Sequence, residues 1–228
     1  MTTAVIYSGQ ARSFAQLLEN HAWHLLRKLP NPEIYVSVED DEDSRAMERL
    51  RELPYPVHIE YHKQPEMDWS PPVEPRHLAG YDRSVPVIGV FRQFWAMRQA
   101  WDFYQAKEFV HTFVVRVRPD TKFLHMDLTL PQRGQVCVPW YDSWGGINDR
   151  FALMSGDVAP SYFAALDALR ASSWDGSPFH PEKALAEAVR DFQVVREPYD
   201  FVTLRKNGDV VPIGANLCDL ARMLSQKR

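Results

Sequence analysis

The sequence predicts a single α/β domain with a mostly parallel central sheet flanked by helices. Short apolar segments alternate with segments of helical periodicity over the first half of the chain, which is typical of α/β folds. The length of 228 residues suits one domain with at most an appendage. Apolar residues make up 45% and charged residues 25%, close to the globular average, which excludes the disordered and fibrous classes.

Charge and cysteine content narrow the classes of function. The 26 basic and 30 acidic residues give a net charge of -4, which disfavours nonspecific coating of DNA or membranes but allows a local basic pocket. No segment approaches the ~18 apolar residues of a membrane span. Cys137 and Cys218 are too few for a disulfide framework or a cysteine metal cluster, and the first six residues lack the pattern of a secretion signal. We therefore expect a reducing, cytoplasmic setting and no membrane span.

The chain opens with a predicted strand, turn and helix. Residues 4–7 are a short apolar run, and residues 8–12 break it at a glycine. Ser13 stands three residues before Gln16, which is the spacing of a capping box. Apolar residues then recur at intervals of three and four to about Lys28, which predicts an amphipathic helix. Together these segments predict a β-loop-α unit.

The remaining elements follow from the same periodicities. Strands are predicted at residues 34–38, 57–61, 109–117, 135–138 and 151–154, and the third of these is the richest in β-branched and aromatic residues. Helices are predicted at residues 46–53, 88–107, 160–169 and 181–191. Residues 62–86 hold five prolines and neither periodicity, which predicts a long loop or lid. Residues 201–205 and 210–213 predict a hairpin that turns at Asn207-Gly208.

The loops that follow strands are the first places to look for a ligand site, because ligands of open α/β sheets bind beyond the carboxyl ends of the strands. In residues 8–12 a glycine turn leads to a helix amino terminus, whose free N–H groups suit phosphate. Arg12 adds a fork of donors to this loop. The alternative is a tight turn with a surface arginine.

The second candidate is the end of the strand predicted at residues 109–117. Alternation along a strand places Arg116 and Arg118 on one face, roughly 6.6 Å apart. Buried guanidinium groups require anions, so this pair suits a diphosphate, and Asp120 suits a divalent cation or a ribose hydroxyl. The alternative is that the arginines pair with carboxylates such as those of residues 39–43.

The third candidate is the loop at residues 140–150. Its tryptophans can stack on sugar or base rings, its paired glycines allow a ligand to approach the backbone, and its polar end offers an acceptor, a base and an anion clamp. These residues are Trp140, Trp144, Gly145, Gly146, Asn148, Asp149 and Arg150. The alternative is a structural turn in which the two tryptophans anchor the core.

Three motifs together resemble a known family. Arg-x-Arg-Pro-Asp at 116–120, Trp-Gly-Gly-Ile-Asn-Asp-Arg-Phe-Ala at 144–152 and His-Pro-Glu-Lys-Ala-Leu at 180–185 are similar to segments of small GT-A-type glycosyltransferases, and the opening Ser-Gly-Gln-x-Arg at 8–12 is similar too. The resemblance implies one GT-A-like, Rossmann-like domain over residues 1–228. Its nucleotide-binding half would be residues 1–125 and its acceptor-side half residues 126–228. The implied reaction moves a sugar from a nucleotide-diphosphate sugar to an acceptor hydroxyl.

The resemblance also implies roles for individual residues. The implied donor-binding residues are Ser8, Gly9, Gln10, Arg12, Arg92, Arg116 and Asp120. The implied sugar- or acceptor-binding residues are Trp144, Gly145, Gly146, Asn148 and Arg150. Asp149 or Glu182 would deprotonate the acceptor in an inverting reaction, and Arg118 would stabilise the departing diphosphate. In a retaining reaction no strong base is required.

The resemblance further implies a divalent cation, Mn²⁺ or Mg²⁺, at Asp120. The family's usual metal motif is Asp-x-Asp, and residue 118 is arginine where the first aspartate belongs. The implied metal site therefore has one carboxylate fewer, and Arg118 itself can supply positive charge. This departure motivates a second hypothesis, a noncatalytic nucleotide-sugar or carbohydrate-binding domain, and a nucleotidyltransferase is a third. The acceptor class stays open among a glycan, a lipid-linked sugar, a protein, a small molecule and a modified nucleic-acid base.

Overall fold

The computed structural model describes residues 1–63, 87–141, 143, 145–172 and 181–211. Its strands are β1 (Thr3–Ser8), β2 (Pro32–Glu39), β3 (Val57–His62), β4 (Phe113–Val117), β5 (Thr121–His125), β6 (Gln135–Pro139), β7 (Phe151–Ser155), β8 (Gln193–Glu197), β9 (Asp200–Leu204) and β10 (Val210–Val211). Its α-helices are α1 (Leu18–His24), α2 (Val87–Gln105), α3 (Ala159–Phe163), α4 (Ala165–Ser172) and α5 (Pro181–Ala188).

A seven-stranded sheet in the order β3-β2-β1-β4-β7-β6-β8 forms the centre of the described structure. The pairs β1–β2, β1–β4, β2–β3 and β6–β8 are parallel, whereas β7 runs antiparallel to both β4 and β6. A smaller antiparallel sheet has the order β10-β9-β5. The predicted α/β class with a mostly parallel central sheet is confirmed.

Apolar side chains cover both faces of the central sheet. On one face α2, α3, α4 and α5 pack against strand residues that include Ile6 and Val114. On the other face Phe14 and Leu18 pack with Val5 and with residues of the small sheet. No helix in the part of the chain that the structure describes is long and apolar enough to cross a membrane.

The start of β4 differs from the sequence prediction because the neighbouring strand, and not periodicity, sets it. The strand predicted at residues 109–117 begins only at Phe113, and Phe109 and Val110 are 50% and 93% exposed. Its neighbour β1 begins at Thr3, which pairs with Phe113, so residues 109–112 have no place beside β1. The segments 121–125 and 193–197, for which no strand was predicted, are β5 and β8.

The helices lie at the predicted positions, but some of them are 3₁₀ helices and some are divided into shorter helices. The first helix is split into a 3₁₀ turn at Phe14–Gln16, α1, and a second 3₁₀ turn at Leu26–Lys28. The helix predicted at 46–53 is a 3₁₀ helix at Asp43–Glu52. The helix predicted at 160–169 is divided between α3 and α4, and α5 ends three residues earlier than predicted.

The predicted capping box at Ser13 is wrong. Its hydroxyl makes no cap hydrogen bond and instead donates to the carbonyl oxygen of Leu204, at 2.8 Å. The predicted hairpin is confirmed, since β9 and β10 pair antiparallel and Gly208 takes a φ of +85° in the turn. The hydrogen bond from Ser13 to Leu204 fixes the hairpin next to the first loop of the chain. The predicted lid at residues 62–86 begins one residue too early, because His62 is the last residue of β3. Residues 64–86 of the predicted lid lie outside the described residues.

A buried polar chain ties β1 to β5. The Nε2 atom of His21 lies 2.6 Å from the carbonyl oxygen of Thr121, so it carries the proton and donates. The Nδ1 atom therefore accepts from the Tyr7 hydroxyl, at 3.0 Å. Burial lowers the pKa of His21 to about 4, although the bond to Thr121 and the charge of Asp120 oppose this shift. His21 is thus neutral in the folded chain at pH 7.

This pKa predicts a loss of stability in acid. His21 takes up a proton at about pH 6.5 when unfolded but only at about pH 4 when folded, so its contribution is complete above pH 6.5 and falls as the pH drops. The expected loss between pH 7 and pH 4 is about 3 kcal/mol. Urea unfolding of the wild type and of His21→Gln at both pH values measures it. Equal losses in the two proteins would contradict this account.

Candidate functional site

The site is built around Arg118, at the carboxyl end of β4. This end adjoins the carboxyl end of β1, because Tyr7 pairs with Val117 in the sheet. Directly after β1, Gly9 takes a φ of +111°, a conformation that favours glycine. A Cβ atom on Gly9 would lie 4.0 Å from Cγ of Arg118. The first loop and Arg118 are therefore neighbours, as the sequence predicts for two loops at one edge of a sheet.

Arg118 and Asp120 form a bidentate ion pair. Nε and Nη2 of Arg118 donate to Oδ1 and Oδ2 of Asp120, at 3.0 and 2.7 Å. The Arg118 side chain is 21% exposed and that of Asp120 is 7% exposed. Burial lowers the pKa of Arg118, but the charges of Asp120 and Asp149 outweigh burial and raise it overall. Arg118 is therefore a permanent cation with a fixed orientation.

Arg116 lies on the same side of β4, since both arginines approach Asp149. Its Nη1 donates to the carbonyl oxygen of Asp149, and Nη1 of Arg118 lies 3.9 Å from Oδ2 of that residue. Arg116 is completely buried, and its Nε and Nη2 atoms have no hydrogen-bond partner in the described structure. Burial lowers its pKa. Arg116 lines neither of the two cavities beside Arg118. Its hydrogen bond to the carbonyl oxygen holds the backbone of Asp149 in place.

Asp149 is held by positive and polar groups. Its Oδ2 accepts a hydrogen bond from the side-chain amide of Gln93. Burial raises the pKa of Asp149, but Arg118, Arg150, Arg116 and the Gln93 bond outweigh burial and lower it overall. A general base works best with a pKa near the operating pH, so this carboxylate is poorly suited to that role. It is better suited to orienting the guanidinium groups, and it lines neither of the two cavities beside Arg118.

Two cavities adjoin Arg118. The smaller has a volume of about 210 Å³ and is lined by both aromatic and polar residues. Those relevant to a ligand are Gly9, Gln10, Glu39, His62, Arg92 and Trp95. The rings of His62 and Trp95 meet edge to face, with their centroids 4.9 Å apart. This cavity offers ring surfaces and hydrogen-bonding groups, which suits a nucleoside.

The second cavity is larger and strongly cationic, with a volume of about 520 Å³. Four guanidinium groups line it, from Arg12, Arg118, Arg150 and Arg205, and Asp120 is the one carboxylate among its described lining residues. Lys206 also lines it but is paired with Asp43, at 2.7 Å. Clustered guanidiniums around a concave surface attract phosphate groups.

The loop at residues 140–150 is tied together mainly by its own residues. The amide of Asn148 donates to the Tyr141 carbonyl oxygen and accepts from the Arg150 N–H, at 3.2 and 2.8 Å. Arg196 donates to Ser143 Oγ and to the Gly146 carbonyl oxygen, both at 2.7 Å. Gly145, Gly146 and Asn148 thus line neither cavity beside Arg118. Trp140 packs on the core, as the structural alternative predicted, and Trp144 lies outside the described residues.

Glu182 occupies a structural position at the start of α5. It is buried, and its carbonyl oxygen accepts the Ile147 N–H at 3.0 Å. A Cβ atom on Gly146 would lie 1.9 Å from the same carbonyl oxygen, so only glycine allows this close approach. Glu182 lines neither cavity beside Arg118.

The expected donor-binding residues are brought together only in part. Gly9, Gln10 and Arg92 line the smaller cavity, and Arg12 and Asp120 line the larger one, whereas Ser8 is buried beneath the first loop and Arg116 lies deeper. Sequence reasoning missed His62, Trp95 and Arg205 as lining residues. Trp95 lies in the helix predicted at 88–107, where helical periodicity alone does not distinguish a cavity wall from the core, and no local pattern marks Arg205.

Asp120 does not fit the expected site for Mn²⁺ or Mg²⁺. Both of its carboxylate oxygens accept hydrogen bonds from Arg118. Across the described ranges, no three His, Cys, Asp or Glu side chains are placed together to hold a metal ion. Cation ligation by Asp120 would require it to leave Arg118.

A third cavity, of about 830 Å³, lies at the opposite end of β4. Phe109, Val110 and Phe113 line it together with Arg133 and Asp157, whose charged atoms are 3.7 Å apart. It lacks a cluster of like charges among its described lining residues, and it lies at the amino end of a parallel strand. Its size alone does not outweigh the position and charge of the two cavities beside Arg118.

Comparison with solved structures gives distant likenesses. No family model and no curated relative matches the chain. The chain is similar to the apo-form glycosyltransferase GlyE of Streptococcus pneumoniae TIGR4, with a TM-score of 0.48 and 12% identity over 85% of this chain and 44% of that one. It is also similar to the mannosyltransferase PcManGT from Pyrobaculum calidifontis in complex with GDP-Man and Mn²⁺, with a TM-score of 0.46 and 10% identity over 86% and 54%. The chain spans about half the length of these structures, and at this similarity neither protein's activity transfers to it.

Proposed function

We propose that the chain is a nucleotide-sugar-dependent glycosyltransferase of the GT-A type. The observation that carries this proposal is the position of Arg118 in the walls of two unlike cavities. A nucleoside diphosphate likewise has two unlike parts, an uncharged base and ribose and an anionic diphosphate. The cavity with Trp95 and His62 suits the first part, and the cavity with four guanidiniums suits the second.

The chemistry of the site favours stabilisation of the leaving group. When the bond between the sugar and the diphosphate breaks, negative charge develops on the phosphate oxygens. Arg118, Arg12 and Arg150 line the cavity in which this charge would appear. Donors that are already oriented stabilise such charge without reorganisation, which is commonly the largest single contribution to catalysis.

Of the carboxylates near Arg118, Asp120 is paired with it and Glu39 lines the smaller cavity, whereas Asp149 lines neither cavity. The lowered pKa of Asp149 makes it a weak base, so we assign it to orienting the arginines. We keep Glu182 as the other candidate base and Trp144 as a candidate residue for binding the sugar or the acceptor. The cationic cavity draws Arg150 and Arg205 from residues 126–228, so the two proposed halves of the single domain share it.

We also propose a cellular setting for the protein and consider two rival functions. A reducing, cytoplasmic setting suits the buried Cys137, whose pKa burial raises to about 11, but Cys218 lies outside the described residues. One rival, a noncatalytic nucleotide-sugar-binding domain, is favoured by the engagement of Asp120 with Arg118 in place of a metal. A nucleotidyltransferase remains a further rival with the same ligand class.

Product analysis separates these functions. We expect the protein to release the nucleoside diphosphate from at least one sugar conjugate of uridine, guanosine, cytidine or thymidine diphosphate, faster when a hydroxyl acceptor is present. Chromatography of the nucleotide products measures this release. Release of pyrophosphate from a nucleoside triphosphate supplied together with a sugar 1-phosphate would instead assign the chain to the nucleotidyltransferases. Binding without release, with acceptors and Mn²⁺ supplied, would assign it to the binding domains.

A further inference from the structure

Resting on the proposed function, we infer that Arg118, oriented by Asp120, supplies at the diphosphate the positive charge that a divalent cation would otherwise supply. Nucleoside diphosphate binding then needs no metal. Arg118 is the residue that touches phosphate in this arrangement. Asp120 is a positioning residue and not a metal ligand.

The geometry of the ion pair leaves Arg118 able to bind an anion. A guanidinium has five N–H donors, and Asp120 uses one on Nε and one on Nη2. Nη1 lies 3.9 Å from Asp149, which is an ion-pair distance and too long for a hydrogen bond. Three N–H donors therefore remain for phosphate oxygens. Because Arg118 lines both cavities, these donors belong to the wall that the two cavities share.

The charge around Asp120 opposes a divalent cation. In the larger cavity the described lining holds the guanidiniums of Arg12, Arg118, Arg150 and Arg205 against the carboxylate of Asp120. A metal ion at Asp120 would meet these like charges and would also displace the two charge-assisted hydrogen bonds from Arg118. A diphosphate brings the opposite charge into the same space. The cavity therefore selects an anion and leaves no need for an accompanying cation.

Nucleotide binding by the full chain, with and without metal, tests this inference. Isothermal titration with uridine, guanosine, cytidine and thymidine diphosphates is carried out in EDTA and in Mn²⁺. We expect at least one of these nucleotides to bind with the same Kd, within about twofold, under both conditions. Arg118→Ala should raise that Kd at least tenfold in EDTA and in Mn²⁺ alike, and Arg118→Lys, which keeps the charge but not the fork, should raise it less.

Asp120→Asn distinguishes positioning from metal ligation. We expect this variant to raise the Kd by the same factor in EDTA and in Mn²⁺, because it loosens Arg118 and removes no metal ligand. The matched control is Arg190→Ala, which removes an exposed arginine that pairs with Glu187 far along α5, and its Kd should equal that of the wild type. Circular dichroism shows that each variant is folded before it is titrated.

The alternative outcomes separate the two proposals. Binding that appears only with Mn²⁺, or an Asp120→Asn defect confined to Mn²⁺, would overturn the inference and leave the proposed function standing. If none of the four nucleotides binds under either condition, the proposed function itself falls.

Discussion

Arg118→Ala is expected to lower turnover by ~100-fold or more while the protein stays folded. The substitution removes the cation that both cavities share, and with it the donors that would meet charge on the leaving diphosphate. It also leaves Asp120 buried without its ion-pair partner, which adds to the disorder of the site. Initial rates of nucleoside diphosphate release at saturating donor measure the effect.

Two further variants make this result specific. Arg118→Lys keeps one positive charge but cannot donate to both oxygens of Asp120, so an intermediate rate is expected. Arg190→Ala, on the exposed side of the chain beyond α5, should turn over as the wild type does. Wild-type turnover in Arg118→Ala would remove the basis of the assigned site.

Gly146→Ala is expected to have the largest effect on stability. A Cβ atom at this position would lie 1.9 Å from the carbonyl oxygen of Glu182 and 2.5 Å from the N atom of Lys183. These are backbone atoms of α5, which cannot rotate away as a side chain can. Overpacked substitutions commonly cost about 1–3 kcal/mol, and a clash with fixed backbone should reach or exceed the upper end of that range. Urea unfolding of the wild type and variant measures the difference.

Gly89→Ala is the matched control for this change. Gly89 lies in α2. A Cβ atom there would have no described atom within 4 Å, apart from its two chain neighbours and the adjacent backbone of its own helix. Alanine is favoured over glycine in a helix by up to ~1 kcal/mol, so this variant should be neutral or more stable. If Gly146→Ala unfolds at the same urea concentration as the wild type, the close approach of α5 to the 140–150 loop is not as described.

Local sequence patterns predicted the elements whose bounds do not depend on residues distant in the sequence. β1 and α2 lie where apolar periodicity predicts them, because the side chains that form the pattern are the ones buried in the core. The start of β4 was not predictable, because it depends on where β1 begins to pair, far away in the sequence. β5 and β8 each combine buried or half-buried residues with exposed ones without strict alternation, so neither gives a clear strand signal.

The candidate site shows the same division between local and distant information. Arg118 was predictable because alternation and the following proline place it at the end of a buried strand. Arg205 was not, since it reaches the cavity through a hairpin that Ser13 holds in place across 191 positions of sequence. The capping-box prediction for Ser13 was wrong for the same reason, because Leu204 supplies a competing acceptor that no local pattern reveals.

The metal motif predicts a cation bound to Asp120, whereas the structure pairs Asp120 with Arg118. An aspartate at the end of a metal motif suits a cation on the basis of its chemistry alone. The sequence also shows an arginine two residues earlier but not that both groups turn toward each other. Only the bidentate geometry shows that the carboxylate already has its cation.

A crystal structure of the chain with a bound nucleoside diphosphate would show which groups Arg118 and Asp120 contact. We expect phosphate oxygens within hydrogen-bond distance of Arg118, with Asp120 still paired to it and the base beside Trp95 and His62. A nucleotide bound instead in the cavity beside Arg133, or phosphates held by a metal ion on Asp120 with Arg118 turned away, would contradict it.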